Sequence, residues 1–528
     1  MSLESPQQTA RTRLSVSAAL VAAGIMFSRI SGFIRITLFS YVFGLRSDAG
    51  DAFQAALRIP NFLQNLLGEG VLSASLIPIY SALMVEDRDR ADRMARAVLA
   101  ILAVITSVFV LIGIAATPFV VPLIAGGYTG EKLALTVNLV RILFPGIGLL
   151  VMSAWCLAIL NSHHRFFLSY AAPVCWNAAI IACLWIFRHD ELSQLAIRLA
   201  WATLAGAGLQ LAIQVPVVWR LMSGQWSRLH ADVAEPVKKV LRSAVPVVFT
   251  RGVVQVSAYV DSSIATWLGT GAVSAVTNAQ QLNQLPIALF GMAFSSASLP
   301  SMSTAAAANL PDALRTRIIA GQEMITALVV PSMVAFLACG DVMVAMLLEH
   351  GKFTHSDTLY VWGVLAGSAV GLLATTVSRL YVSAFYAVGD TTTPTRFALL
   401  RVALVGGLGY LLALPLPRLI GVSPSWGAAG LTASAGLAGW VEFLLLRRAL
   451  QRRIGPVTIG PKLAARAWMV ALGAAAIASL FRLTIPPTWH VARGLVILGV
   501  FGALYLAGAQ ATGLLDSNSI VRRVLRRR

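Results

Sequence analysis

Long apolar stretches separated by short polar loops run through almost the whole chain. An α-helix of about 20 residues crosses the hydrocarbon core of a bilayer, so each stretch of this length predicts a spanning helix. Fourteen such helices are predicted, at residues 16–43, 50–83, 95–124, 133–160, 166–187, 195–220, 238–268, 272–303, 318–348, 357–387, 395–416, 424–447, 463–484 and 491–514. This pattern predicts an all-α polytopic membrane protein.

Composition agrees with this fold class. Of the 528 residues, 57% are hydrophobic and only 12% are charged, whereas an ordinary soluble domain carries about 25% charged residues. The net charge of +19 comes from Lys and Arg in the short loops, which indicates a membrane protein and not a nucleic-acid partner. The four cysteines lie in apolar stretches without a CxxC spacing, so neither a disulfide framework nor a metal site is predicted.

Basic residues concentrate in alternate loops, above all in the 6–7 loop, the 12–13 loop and the C-terminal tail RRVLRRR. The loops between them carry far fewer. By the positive-inside rule, both termini are predicted to be cytoplasmic. The first apolar stretch continues past the length of a signal-peptide core, so we interpret it as a retained first helix.

The first, second and eighth helices are expected to bend. Pro60 and Pro286 each remove a helix hydrogen bond, and Gly32 and Gly70 loosen the backbone near the other candidate bends.

A weak internal repeat divides the chain. LLGEGVLSASLIPIYSAL in helix 2 resembles LFGMAFSSASLPSMSTA in helix 8, an offset of six helices. Two six-helix bundles around a central cavity are a common transporter architecture. The predicted domains are an N-lobe at 1–222, a C-lobe at 223–455, and a C-terminal helix pair with a basic tail at 456–528.

Helix 2 carries Arg58 and Glu69 at membrane depth and Asp51 at the mouth. Asp51, Arg58 and Glu69 are seven and eleven residues apart, which keeps them within about 20° of one helix face, and Asn65 lies near the same stripe. An uncompensated charge at the bilayer centre costs about 3 kcal/mol, so such residues usually face a protein interior or a watery cavity. The alternative is a self-neutralising set that locks helix 2 to a neighbour.

Helix 1 carries Arg29 and Arg35, which are about 120° apart around a straight helix. A bend at Ser31–Gly32 would bring both to one cavity. The planar guanidinium suits a phosphate ligand, although Arg35 would also reach a lipid headgroup by snorkelling. In the second half, Arg251 is the better candidate for an anion contact.

Other charges and motifs add little chemistry. Arg379 and Glu442 lie towards predicted cytoplasmic helix ends, where snorkelling is expected. The sequence has no GxxxxGK[ST] motif and no specific carboxylate pair or Ser–His–Asp set. It therefore predicts neither an enzyme nor an ATP-driven pump, and no cofactor.

Several segments are more specific: MFSRISGFIR, DAFQAALRIPNFLQNLLGEG followed by SASLIPIY, LEHGKFT at 348–354, and AFYAVGDTTTPTR at 384–396. Together they resemble the MurJ/MviN family, which comprises lipid II flippases of the multidrug/oligosaccharidyl-lipid/polysaccharide exporter superfamily. The resemblance implies a cationic cavity for the pyrophosphate and sugar headgroup. It also implies that helices 13 and 14 form a groove for the polyprenyl tail.

The resemblance also matches Arg29 and Arg35 to two functional arginines of the family. Combined with the charge pattern, it predicts a substrate site formed by Arg29, Arg35, Asp51, Arg58, Gln64, Asn65, Glu69, Arg251, Ser274 and Gln281. Gln64 and Gln281 stand where many members have arginine, and Gln280 and Ile36 replace acidic residues. Glutamine still hydrogen-bonds phosphate or sugar but lacks the charge-assisted contribution.

The leading hypothesis is a flippase of the bacterial inner membrane that moves lipid II outward by alternating access. Its partners would be lipid II, membrane lipids and other cell-wall synthesis proteins, with an ion or the membrane potential able to bias the lobes. The rivals are a flippase for another polyprenyl-linked oligosaccharide, a cation-coupled exporter of the same superfamily, and a non-transporting membrane scaffold.

Overall fold

The structure is a computed structural model that describes residues 6–222, 233–308, 310–457 and 460–514. Within these ranges every regular element is helical. The first eight helices are α1 Pro6–Phe43, α2 Asp48–Leu67, α3 Glu69–Glu86, α4 Arg88–Ile124, α5 Gly130–Ser162, α6 Phe166–Ile186, α7 Leu192–Leu221 and α8 Ala234–Thr266. They are followed by α9 Ala272–Pro286, a π-helical segment Ile287–Met292, α10 Ala293–Ala307, α11 Pro311–Ala338 and α12 Gly340–Leu348. The last are α13 His355–Ala369, α14 Leu372–Ala387, α15 Thr392–Ala413, the short α16 Pro415–Leu419, a 3₁₀ turn Pro424–Trp426, α17 Gly427–Ile454, α18 Pro461–Leu480 and α19 His490–Ala511.

Ten helices in the described ranges are long and apolar enough to cross a membrane, or eleven if the bent pair α13–α14 is one span. This confirms a polytopic, all-helical membrane protein. A helix also occupies each of the other predicted segments, in α1, α8 and the α9–α10 region. The spanning count of fourteen stays a prediction.

The predicted bends take different forms. The second predicted helix is interrupted at Gly68, between the two residues named for it, and splits into α2 and α3. A side chain at Gly68 would place its Cβ 2.4 Å from the carbonyl oxygen of Gln64, so the break depends on glycine. The eighth predicted helix widens into the π segment directly after Pro286. Helix α1, by contrast, is α-helical through Ser31–Gly32, without a break.

Two interruptions lie outside the predicted bends. The ninth predicted helix ends at Ala338 and restarts at Gly340 as α12. The tenth bends by 41° between α13 and α14. At that bend, a Cβ on Gly371 would lie 2.3 Å from the Cα of Gly436 in α17. The close approach of two backbones therefore shapes this bend.

The internal repeat carries a matching backbone feature. Gly68 of LLGEG and Gly291 of LFGMA occupy the same place before the shared SASL motif. Gly68 ends α2, and Gly291 lies within the π segment. Each copy of the repeat thus interrupts its α-helix at the equivalent position.

The chain forms two compact units, residues 1–255 and 256–528. The core of the first unit includes a buried cluster from α3, α4, α5 and α7 around Tyr80 and Trp155. In the second unit, α18 packs mainly on α11, and α19 packs mainly on α12. The buried face of α18 consists of alanine side chains. The predicted lobe boundaries at 222 and 455 stay predictions.

Candidate substrate-binding site

The start of α2 is held by capping and by charge. The Ser47 hydroxyl accepts a hydrogen bond from the Gly50 backbone N–H at 3.2 Å, as expected of an N-cap residue. Asp48 and Asp51 lie in the first turn, where the positive end of the helix dipole favours carboxylates. The local sequence therefore explains why α2 begins here and where Asp51 lies.

Asp51 is neutralised from α5. Its side chain is fully buried, and its Oδ2 lies 3.2 Å from the Nζ of Lys132, which also lies 2.9 Å from Asp48 Oδ1. The Lys132 ammonium stands 4.3 Å from the centroid of the Tyr128 ring, and the Tyr128 hydroxyl donates to the Asp51 carbonyl at 3.5 Å. Asp51 therefore has a lysine partner that the helix 2 pattern did not predict.

The two arginines of α1 lie on different faces. Arg29 is exposed, next to the exposed side chains of Met26, Phe27 and Ile30. Arg35 is half-buried, and its guanidinium carbon lies 5.0 Å from the centroid of the Trp176 ring in α6. Because α1 has no break at Ser31–Gly32, the expected bend does not turn both arginines to one side.

Helix α6 fixes the rotation of α1. The Asn177 side-chain amide donates to the Ser31 hydroxyl at 2.9 Å, and that hydroxyl donates to the Ser28 carbonyl at 3.0 Å. Ser31 and Arg35 are four residues apart, so they share one helix face. Adjacent residues of α6 therefore hold both: Asn177 binds Ser31, and Trp176 lies under Arg35.

The remaining α2 residues have differing surroundings. Arg58 and Gln64 are half-buried, and Asn65 is exposed. Gln64 lines a small cavity of about 20 Å³ together with Asn61 and Trp176, which is enough for about one water molecule. The side chain of Glu69, at the start of α3, lies outside the described part of the structure.

The site residues of the second unit stand in or beside α9. Ser274 is buried, with 3% of its surface exposed, whereas Gln280 and Gln281 are half-buried. Ser274 is thus packed inside its unit in this conformation, while Gln281 retains an accessible surface. The side chain of Arg251, in α8, lies outside the described part.

One buried ion pair corrects an expectation. Glu442 is 7% exposed, and its Oε2 lies 3.2 Å from Nη1 of Arg401 in α15. Snorkelling, expected for Glu442, is therefore wrong, because α15 packs against α17 and supplies a basic partner. No sequence spacing connected these residues, which are 41 positions apart.

Two arginines of the first unit carry positive charge that no described carboxylate neutralises. Among the described residues, neither Arg29 nor Arg35 has an acidic partner, while the buried carboxylate Asp51 is paired with Lys132. Groups of this kind attract an anion, and the guanidinium fork fits phosphate oxygens. Within the described residues, no cluster of His, Cys, Asp and Glu could hold a metal ion.

Comparison with known proteins agrees with this chemistry. The sequence profile of the family described as "Lipid II flippase MurJ" matches residues 39–510. The lipid II flippase MurJ of Burkholderia cenocepacia is 32% identical over 83% of this chain and 84% of its own length. A probable lipid II flippase MurJ of Rhizobium meliloti is 31% identical over 81% of this chain and 79% of its own length.

Solved structures show the same fold. The chain resembles a structure described as lipid II flippase MurJ in an inward closed conformation, with a TM-score of 0.77 and 21% identity over 96% of this chain and 99% of that chain. An inward-facing multidrug resistance MATE family transporter of the MOP superfamily gives a TM-score of 0.66 and 18% identity, over 80% and 95% of the two chains. The profile match over most of the sequence and the identity to the Burkholderia protein confirm what the motifs predicted: the chain belongs to the lipid II flippase MurJ family, whose members are transporters and not enzymes.

Proposed function

We propose that this protein carries lipid II from the cytoplasmic to the periplasmic leaflet of the bacterial inner membrane by alternating access. Family membership supports the substrate. The observation that carries the site is the pair of arginines in α1, Arg29 and Arg35, without an acidic partner in the described part of the chain. Lipid II bears a pyrophosphate, an anion that a guanidinium attracts. Because Arg29 and Arg35 lie on different faces of α1, we propose that each contacts it separately.

In this proposal, Arg29, Arg35 and Arg58 bind the pyrophosphate. The amides of Gln64, Asn65 and Gln281 hydrogen-bond phosphate or sugar oxygens without adding charge. Asp51 has a supporting role, because its pairing with Lys132 anchors the start of α2 beside these groups. Contacts of Glu69, Arg251 and Ser274 with the substrate belong to the same proposal.

The proposal includes the finer architecture predicted from the sequence: fourteen spans, two six-helix lobes around a central cavity, and both termini in the cytoplasm. The loop charges support that orientation. The polyprenyl tail would lie along α18 and α19. The docking of α18 through small alanine side chains, and of α19 through Ile497, Phe501 and Tyr505, supports a fixed placement of this helix pair.

A cation-coupled exporter of the same superfamily is the second candidate, because the fold is shared with a MATE transporter. Such a protein needs an acidic group free to bind a cation. Here two of the buried carboxylates, Asp51 and Glu442, have a basic partner, whereas Arg29 and Arg35 have no acidic one in the described residues. These observations favour an anionic headgroup.

The test is rescue of cells depleted of their lipid II flippase, with lipid II headgroup accessibility assayed on each membrane face. We expect the wild-type chain to rescue and Arg29→Ala to fail at equal protein level. Arg188→Ala is the control, because this half-buried loop arginine lies over the Trp185 ring and outside the candidate site.

Two results would contradict the proposal in different ways. Failure of the wild-type chain to rescue would indicate another lipid-linked substrate. Full rescue by the Arg29→Ala, Arg58→Ala double variant would remove these arginines from the mechanism.

A further inference from the structure

Within the part of the chain that the structure describes, Arg35 of α1 is held by an aromatic ring and not by a carboxylate. We propose that Trp176 is a positioning residue for substrate binding: its ring orients the Arg35 guanidinium while leaving the charge available to the pyrophosphate. This inference rests on the proposed function and assigns a role to a residue of α6 that the motifs did not indicate.

The geometry is that of a cation–π contact. The guanidinium carbon of Arg35 lies 5.0 Å from the centroid of the Trp176 ring, within the roughly 6 Å over which such contacts act. The Nε atom of Arg35 is enclosed without a hydrogen-bond partner. The terminal nitrogens make no hydrogen bond to the described residues either, so they remain able to donate to phosphate oxygens.

The choice of partner has an electrostatic consequence. A carboxylate beside Arg35 would fix the side chain but would also cancel its charge, as Lys132 and Asp51 cancel each other. A tryptophan ring attracts the cation through its quadrupole and carries no net charge. An arginine held in this way stays fully cationic towards an incoming anion.

Trp176 is itself firmly placed. A Cβ on Gly206 of α7 would lie 3.0 Å from the Trp176 carbonyl oxygen and 3.1 Å from its Cα, so α7 packs directly on the backbone at this point. On the other side, a Cβ on Gly24 of α1 would lie 3.0 Å from the Cβ of Tyr170. These close approaches and the Asn177–Ser31 hydrogen bond hold α6 against α1 and α7. They therefore fix the Trp176 ring beside the Arg35 guanidinium.

Trp176 also borders a small cavity on which site residues of α2 lie. The indole N–H of Trp176 is enclosed without a protein partner, and the residue lines the small cavity shared with Asn61 and Gln64. Trp176 therefore lies between the arginine of α1 and the polar side chains of α2. Loss of the ring would leave the Arg35 side chain and the polar side chains of α2 less firmly held.

The experiment measures binding of undecaprenyl pyrophosphate and of lipid II to the full-length protein in lipid nanodiscs. We expect Trp176→Leu to weaken both affinities by about twofold to thirtyfold, the range of a cation–π contact, and Trp176→Phe to lose less. In an Arg35→Gln background, Trp176→Leu should cause little further loss, because its effect passes through Arg35.

A second measurement separates positioning from packing. Fluorinated tryptophans introduced at position 176 keep the shape of the ring but weaken its attraction for a cation. The affinity for undecaprenyl pyrophosphate should fall stepwise with fluorination while the melting temperature stays constant. The fluorinated series tests the inference even if the Trp176→Leu variant does not fold.

Trp185→Leu is the matched control, because Trp185 lies on the same helix, is 59% exposed and has Arg188 over its ring at 4.4 Å. It should bind both ligands as the wild type does. An unchanged affinity across the fluorinated series, or an equal loss from Trp176→Leu with and without Arg35, would overturn the inference. Wild-type protein that binds undecaprenyl pyrophosphate but does not move lipid II would overturn the proposed function and leave the role of Trp176 standing.

Discussion

Lys132, in the first turn of α5, forms an ion pair with Asp51 in the first turn of α2, and the carboxylate is fully buried. The pair joins α2 and α5, and its two residues are 81 positions apart in the sequence. It neutralises a buried carboxylate with a lysine from another helix. Arg29 and Arg35 have no carboxylate partner among the described residues.

Removing the lysine should destabilise the protein. Lys132→Met removes a cation that lies beside a fully buried carboxylate, and breaking such a pair costs about 3 kcal/mol or more. Adding Asp51→Asn should recover most of that loss, because the buried carboxylate charge is then removed as well. Thermal unfolding of the two single variants and the double variant in detergent measures the coupling, with Glu131→Gln as a neighbouring control. Additive effects of the two substitutions would contradict the pairing.

The two glutamines that replace family arginines should respond differently to restoration of the arginine. Gln281 is half-buried, so Gln281→Arg should fold normally and tighten undecaprenyl pyrophosphate binding by up to about tenfold, through a charge-assisted hydrogen bond of about 1.4 kcal/mol. Gln64 lines a cavity of only about 20 Å³ beside Leu143 and Leu204. Gln64→Arg should therefore lower the melting temperature.

Each variant needs protein level, melting temperature and ligand affinity measured together. Misfolding of Gln281→Arg would show that Gln281 faces the interior of its unit. A stable Gln64→Arg with tighter binding would show that its side chain turns towards the substrate.

Asp390, from the GDTTTPTR segment, should give the protein a pH-dependent stability. Its carboxylate accepts hydrogen bonds from the Thr393 backbone N–H at 3.0 Å and the Thr393 hydroxyl at 2.7 Å, and from Arg453 at 2.5 Å. These donors, above all the Thr393 backbone N–H, hold the pKa of Asp390 well below its usual range.

Because the folded pKa is depressed, the stabilisation is complete above the unfolded pKa of about 3.9 and is lost as the pH falls towards the folded value. Asp390→Asn should lower stability at pH 7 by about 1 kcal/mol, as the loss of a helix cap does. The difference from wild type should shrink below about pH 4. Melting curves at pH 7, 4 and 3 test this, with the exposed Asp312→Asn as control; a pH-independent difference would contradict it.

Helix positions were predictable because each segment that crosses the bilayer must be apolar over a set length. This property can be recognised in each segment on its own. Every apolar stretch became helix, including those at α1, α8 and α9. The interruptions at Cys339 and Gly371 were not predictable. The interruption at Gly371 depends on the neighbouring helix α17, since Gly371 lies against the backbone of Gly436. Hydropathy does not indicate which helices contact each other.

The same limit applies to the site. The charge pattern singled out Arg35 and Asp51 and placed Glu442 at a helix end. Their partners are Trp176, Lys132 and Arg401, each on another helix. Helical periodicity relates residues within one helix only. The family resemblance identified the function and the first-helix arginines, yet it did not indicate the ring beneath Arg35.

The glycine interruptions at Gly68 and Gly291 bear on the origin of the chain. Two copies of one sequence pattern interrupt their helices at the same place, which is simplest if the feature existed before the segment was duplicated. Gly68 and Gly291 are 223 positions apart, so the duplicated segment would have been a little under half of this chain, and the helix break is then a feature that both halves inherited and kept.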